Sequence, residues 1–502
     1  MEVDPHAPSE AQRTTRWHVG DARASPGAAA VTSGVSGTIA GVLDPRQVNQ
    51  ILDFCLRVGE LLLASGAGAA DVTATMQSVA QHLGLRGADT DVTFTSISMS
   101  HHADPEEQPI VATRRVKQRT IDYEHLTRVD HLVRAVLHDQ IDLKEARTSL
   151  ARIVSSGHIR ARWRVTLAWG AMCGGVAVQL GGDLFVVLVA SVAAMLIDRL
   201  QQRMARARLP FFYQQIAGGG VATAVGILAG LAPVDVNVSL VITANIVLLL
   251  AGIGFMGALQ DALSGFYVTA GARLTEAILA TAGIIGGVSG GLSVARMVGV
   301  DIPPLDPGRG DLQTFGMLVI GAAICAAAFA YASYAPGRII APIAGVAGIA
   351  IAITQSVALP GIGRTWSVAL AALFVGLVAF SVAGRMRVPP LVVVVSAVVP
   401  MLPGLSIYRG LTLLAEGSAR DISAGLLAMV TAASVAIALS AGVILGEYVA
   451  QPLKREARRL ETRLAGPRLV GPMRDLGPRA RRRRAREEGK EPTGDEGTVI
   501  GG

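Results

Sequence analysis

Between Trp163 and Val449 the chain is built of long apolar runs separated by short loops that carry most of the charge of this stretch. A run of about 20 residues coiled as a helix matches the hydrocarbon thickness of a bilayer. Lipid offers no partner to a backbone N–H or C=O, so such a chain has to be helical where it crosses. The runs fall at 163–180, 183–197, 213–231, 236–256, 276–298, 314–334, 339–359, 365–383, 388–402 and 422–448, the second and ninth being the shortest. With 51% hydrophobic residues, 17% charged residues and a mean hydropathy of +0.47, the 502-residue chain has too little polar surface for a soluble protein. The expected fold is therefore a predominantly α-helical integral membrane protein with about ten transmembrane helices.

Loop charge sets the expected orientation, because cytoplasmic loops carry the Lys/Arg excess. Arg160, Arg162 and Arg164 precede the first run, and Arg199, Arg203, Arg206 and Arg208 follow the second. Arg385 and Arg387 follow the eighth, and Lys454, Arg455, Arg458 and Arg459 follow the tenth. All fall on one side, which predicts a multi-pass protein of the cytoplasmic membrane with both termini in the cytoplasm; Arg409 and Arg420 dissent. The basic tail at 451–502, with Arg481 to Arg484 consecutive, is expected to be solvated or to meet anionic lipid headgroups. Without interleaved aromatics it does not read as a nucleic-acid site.

Ahead of the membrane runs, 1–43 is rich in Ala, Gly, Ser and Pro with no apolar core, and is expected to be a disordered tail rather than a signal peptide. Asp44-Pro45 then starts an amphipathic helix with Val48, Ile51, Leu52, Cys55, Val58 and Leu62 on one face. A second helix follows up to Gly84, alternation at 91–99 and 110–116 predicts two strands, and helices are expected at 122–138 and 142–154. Residues 44–160 thus read as a small cytosolic α/β domain. Ser65 and Asp71 read as helix caps, and no Gly-x-Ser-x-Gly elbow supports a hydrolase. Cys55, Cys173 and Cys325 are too scattered for a disulfide framework or zinc site, and His101, His102, His131 and His138 lack companion ligands. No metal or cofactor is expected.

An internal repeat organises the membrane part. With Met256 set on Met401, Gly265 falls on Gly410, Ala270 on Ala415 and Glu276 on Asp421 without a gap. An odd number of spans separates the copies, so the second enters the bilayer from the opposite face. The expected architecture is two inverted five-helix repeats, 161–300 and 314–450, joined by an extracytoplasmic linker at 301–313. Inverted repeats frame a midplane solute site whose broken helices expose backbone dipoles. The breaks are expected at 251–254 and at Pro400 to Gly404.

Ionisable and amide groups in or beside the spans are candidates for a solute or proton pathway. Asn245, Asp261, Glu276, Pro400, Pro403, Gly404, Glu416 and Asp421 form this set. A helix–helix hydrogen bond is the other reading of Asn245, and capping the other reading of Asp421 and of Glu447. Gly283, Gly287 and Gly291, like Gly218 to Gly220, read as close helix packing. Asp261, with no basic neighbour within a turn, is expected to share one central cavity with the Pro400–Gly404 break.

The stretches from Leu61 to Val72, Val92 to Ile97, Gly257 to Tyr267 and Val399 to Gly404 resemble the threonine/serine exporter family, in the same order and over 44–449. The sequence departs from that pattern at Ala251-Gly252, where Pro-Gly is expected. The resemblance implies a soluble domain fused to a ten-span body in two halves, exporting threonine and serine under the proton motive force, with a homo-oligomer open. Relatives with split halves and a dicarboxylate solute keep that alternative alive, as do a passive channel and, last, a hydrolase. No Walker motif supports direct ATP drive.

Overall fold

The computed structural model describes residues 44–464 except 103–107, 118, 234–235, 250–251, 298–311, 359–362, 404–405, 408, 411–412 and 414–418. Its first helices are α1 (Pro45–Ala64) and α2 (Ala69–His82), followed by β1 (Ala88–Thr93), β2 (Ser96–His101) and β3 (Ile110–Arg115), then α3 (Tyr123–Leu137) and α4 (Leu143–Ser155). Three of these helices begin on an aspartate. The side chains of Asp44, Asp122 and Asp142 accept hydrogen bonds from first-turn N–H groups that have no partner within the helix. The apolar face of α1 buries Ile51, Leu52, Cys55 and Val58, and α2 adds Val72, Met76 and Val79. Burial pushes the Cys55 thiol up to about 12, so it is inert.

The strands correct the sequence reading. Residues 91–99 form no single strand: Thr93 pairs with Ser96 across a tight turn at Phe94-Thr95, giving a three-stranded antiparallel meander in the order β1-β2-β3. No Gly, Asn or Asp marks this turn. Tertiary contact replaces the missing local signal, because Thr269 Oγ1 accepts from the Phe94 N–H and donates to the Val92 carbonyl, both at 3.2 Å.

The remaining helices are α5 (Arg162–Gln179), α6 (Leu184–Arg206), α7 (Phe211–Gly230), α8 (Val238–Leu249), α9 (Gly252–Leu263), α10 (Tyr267–Met297), α11 (Leu312–Ala332), α12 (Gly337–Ala358), α13 (Arg364–Met386), α14 (Pro390–Val398) and α15 (Ala419–Leu464). A 3-10 turn, Val399–Met401, continues α14. Among the described residues, seven helices are long and apolar enough to cross a membrane: α6, α7, α10, α11, α12, α13 and α15. The pair α8 and α9, bent by 43°, makes up to eight. The protein is a helical multi-pass membrane protein. Three boundaries differ from the sequence reading: α6 is 23 residues long rather than short, α10 begins at Tyr267 rather than 276, and α15 runs on to Leu464.

Helix faces follow the logic of lipid rather than water. On α6, Leu184, Leu188, Val192 and Leu196 are exposed at four-residue spacing, while Ala190, Ala193 and Ala194 are buried. Large side chains face outward and small ones let helices approach. In the first half α5 packs on α6, α6 on α7, and α7 on both α8 and α10. In the second half α11 packs on α12, α12 on α13, and α13 on both α14 and α15. The two halves meet along α5 and α11, where a Cβ on Gly175 would lie 2.8 Å from the Gly321 carbonyl, and one on Gly321 2.6 Å from the Gly175 carbonyl. Glycine pairs also set α7 against α10 (Gly220, Gly287) and α13 against α15 (Gly376, Gly446).

Candidate functional site

The N-terminal helices and sheet pack against one end of the helical body, and the contacts fall on the candidate residues. Asp261, near the end of α9, is 1% exposed and pairs with Arg273 on α10 at 2.8 Å. Its Oδ1 also accepts a 3.0 Å hydrogen bond from the Ala69 N–H, and Arg273 Nη2 donates to the Ala67 carbonyl at 3.2 Å. The physical reason lies in α2, whose N-cap is Gly68 and has no side-chain oxygen to offer. Asp261 caps that helix from the neighbouring domain, where the positive end of the helix dipole favours a carboxylate. The expectation of an unneutralised Asp261 is thus corrected: its partner lies twelve positions on, across the α9–α10 turn.

Around this clamp the structure closes a cavity of about 500 Å³, lined from the domain by Asp71, Thr75, Ser78, Asp130 and Arg134. The body contributes Gln260, Asp261, Ser264, Pro389, Pro390 and Glu447. Asp71 is not the N-cap of α2 but sits in its first turn, facing the cavity. Enclosure by protein, and secondarily the charge of Asp261, push its pKa above the usual carboxylate range. Glu447 is likewise no helix-end cap, because α15 continues for four more turns past it. Arg134 is held by Asp130 at 2.8 Å and Arg273 by Asp261, so of the four carboxylates lining the cavity, Asp71 and Glu447 have no arginine paired with them among the described residues. Nearby Arg119, above the Phe94 ring, is lowered to about 10 by burial and by the like charge of Arg273.

A second cavity, of about 370 Å³, lies toward the far end of the body. It is lined by Gln179, Thr243, Thr354, Gln355, Arg364, Ser367 and Val399 to Leu402. The Pro400 carbonyl, freed where the helix tightens into its 3-10 turn, accepts from Gln179 Nε2 at 3.2 Å. Pro403 is buried beside this turn; Gly404 and Glu416 lie outside the described residues. Asp261 and Pro400 therefore line two different cavities, which corrects the expectation of a single shared one. Asn245 is fully buried on α8, and its amide donates to the Val241 carbonyl of its own helix at 2.9 Å rather than to a neighbouring helix. Glu276 is exposed on α10, and Asp421 stands in the first turn of α15.

Arg273 was missed because the fifth span was read from 276, which left it in a loop. An arginine inside a continuous apolar helix was the available signal.

A helical membrane body with polar cavities toward both ends, one of them bordered by the N-terminal helices and sheet, has the build of a solute transporter. The family profile described as "Putative threonine/serine exporter" matches residues 53–295, and that described as "Threonine/Serine exporter, ThrE" matches 318–449. The chain is 34% identical over 435 residues to a "Probable threonine/serine exporter" of Mycobacterium tuberculosis, covering 85% of this chain and 82% of that one. It is 31% identical to the "Threonine/serine exporter" of Corynebacterium glutamicum, covering 83% and 85%. A "Probable succinate transporter subunit YjjP" of Escherichia coli is 25% identical, 97% of it matching 50% of this chain. No solved structure matches. The chain belongs to the threonine/serine exporter family, and is a transporter rather than an enzyme.

Proposed function

We propose that this protein exports threonine and serine across the cytoplasmic membrane as a secondary transporter coupled to the proton motive force. The names of its relatives support the solute class, and one observation carries the choice: Asp71, Asp261 and Glu447 line one cavity together with Thr75, Ser78 and Ser264. An amino acid brings an ammonium group to those carboxylates and a hydroxyl to those side chains. A dicarboxylate would enter against like charge, which disfavours the succinate alternative at this cavity. Asp71, whose pKa is raised, is the proposed proton carrier, because a carboxyl that holds its proton more tightly than usual can exchange it as the ammonium arrives or leaves.

The body is proposed to be ten spans in two inverted repeats, α5 and α14 completing the count. What supports this is the same order of helix contacts in the two halves and the gap between the two family matches at 296–317. The arginines at the docked end of α6 support a cytoplasmic position for the soluble domain and both termini. On this reading the acidic cavity is the cytoplasmic entrance, and the pathway residues are Asp261, Glu276, Asn245, Pro400, Pro403, Gly404, Glu416 and Asp421. Coupling is tested in proteoliposomes loaded with labelled threonine. Efflux should slow when both the pH gradient and the potential are collapsed, and undiminished efflux would make the protein a channel.

A further inference from the structure

Where the soluble domain joins the membrane body, three side chains that the transport reading does not use converge on one point. Asp122, the N-cap of α3, is buried, and its Oδ2 lies 2.7 Å from His125 Nδ1 and 2.6 Å from His158 Nε2. His125 is on the first turn of α3, and His158 belongs to the strap between α4 and α5. One donor atom from each falls within 4.8 Å of the others. The remaining carboxylate oxygen is fixed by the N–H groups of Glu124 and His125.

Hydrogen-bond accounting leaves room for a cation. The Ser156 carbonyl accepts from one His125 ring nitrogen, so Nδ1, 2.7 Å from Asp122 Oδ2, either donates the second hydrogen of an imidazolium or offers a lone pair to a metal cation in that proton's place. Two acceptors do not approach to 2.7 Å unless positive charge stands between them. His158 is oriented by stacking on Tyr334, ring centroids 3.9 Å apart, and remains one-third exposed. We propose that Asp122, His125 and His158 bind one divalent cation of the zinc class at the joint between domain and body. Two imidazoles and a carboxylate are a donor set such cations favour, with water in the fourth position. The Ser156 carbonyl behind His125 supplies the outer hydrogen bond that orients a ligating ring. A tetrahedral cation holds its donors roughly 3.3–3.5 Å apart, so both rings, now 2.7 and 2.6 Å from Asp122, have to move outward by less than about 1 Å, His158 on its exposed strap and His125 by turning its side chain.

The probe is Co2+, titrated into the full-length, tag-free protein in nanodiscs and followed by its visible absorption. The proposal expects one equivalent of tetrahedral Co2+, displaced by Zn2+, with affinity falling about tenfold or more in His158→Gln and unchanged in His138→Gln. Glutamine still donates to Asp122, and unaltered threonine counterflow without metal checks that the variant is folded. His125→Asn gives the same loss from α3 if the strap variant fails to fold. Equal Co2+ uptake by the wild type and both variants, or none by the wild type, would overturn the site and leave the cluster holding a proton only.

Discussion

The two cavities of the body differ in charge and in what closes them. The one beneath the N-terminal helices and sheet presents four carboxylates, two of them paired with arginines, and is bordered by a clamp between 67–69 and the pair Asp261 and Arg273. The one at the far end has Arg364 as its only ionisable residue among the described lining residues, amide and hydroxyl groups besides, and a freed backbone carbonyl at Pro400. On the proposed function, a zwitterion would meet complementary groups for its ammonium at one end and for its carboxylate at the other. The comparison also separates two kinds of polar residue. Asp261 both bonds to the N-terminal segment and lines a cavity, whereas Gln179 at Pro400 makes one ordinary hydrogen bond.

The largest effect is expected at the clamp. Replacing Asp261 with Asn leaves Arg273 buried with uncompensated charge, which costs about 3–5 kcal/mol, and removes the external cap of α2. The variant should lose both export and thermal stability, measured by tryptophan fluorescence during heating. Adding Arg273→Met should restore most of the stability but none of the export. An Asp261→Asn variant as stable as the wild type would show that the pair is not the clamp.

Asp71→Asn should separate function from stability. The folded-state pKa of Asp71 is raised, so the stability it lends is fully present below the unfolded value near 3.9 and is lost as pH rises through the folded value. The Asn variant should therefore gain on the wild type as pH climbs through that window, while threonine export falls and loses its pH dependence. A variant that keeps the wild-type pH profile for both would remove Asp71 from the coupling.

These two residues also show what the sequence does and does not make legible. Asp44, Asp122 and Asp142 announce their helices because capping is local, and the apolar runs announce spans because lipid permits only helices. The Asp261–Arg273 pair and the Asp261–Ala69 bond join positions that only tertiary folding brings together, so neither spacing nor periodicity marks them. Glu447 looked like a helix end because hydropathy stops at Tyr448, but the backbone continues as helix into charged sequence. The hairpin at Phe94-Thr95 was hidden because β-branched residues alternate straight through it.

The smallest effect is expected at the far cavity. Gln179→Ala removes one hydrogen bond to the Pro400 carbonyl, about 0.5–1.5 kcal/mol, so the variant should shift the melting temperature slightly and keep exporting. Loss of export as complete as in Asp261→Asn would place the essential chemistry at the 3-10 turn instead.

The charge of the domain-side cavity is the center of the account, and counterflow in proteoliposomes reads it directly. Labelled threonine and serine should exchange with the wild type, excess succinate should not compete, and Asp71→Asn should slow the exchange and remove its pH dependence. Succinate exchanging as fast as threonine, with no loss in Asp71→Asn, would contradict it.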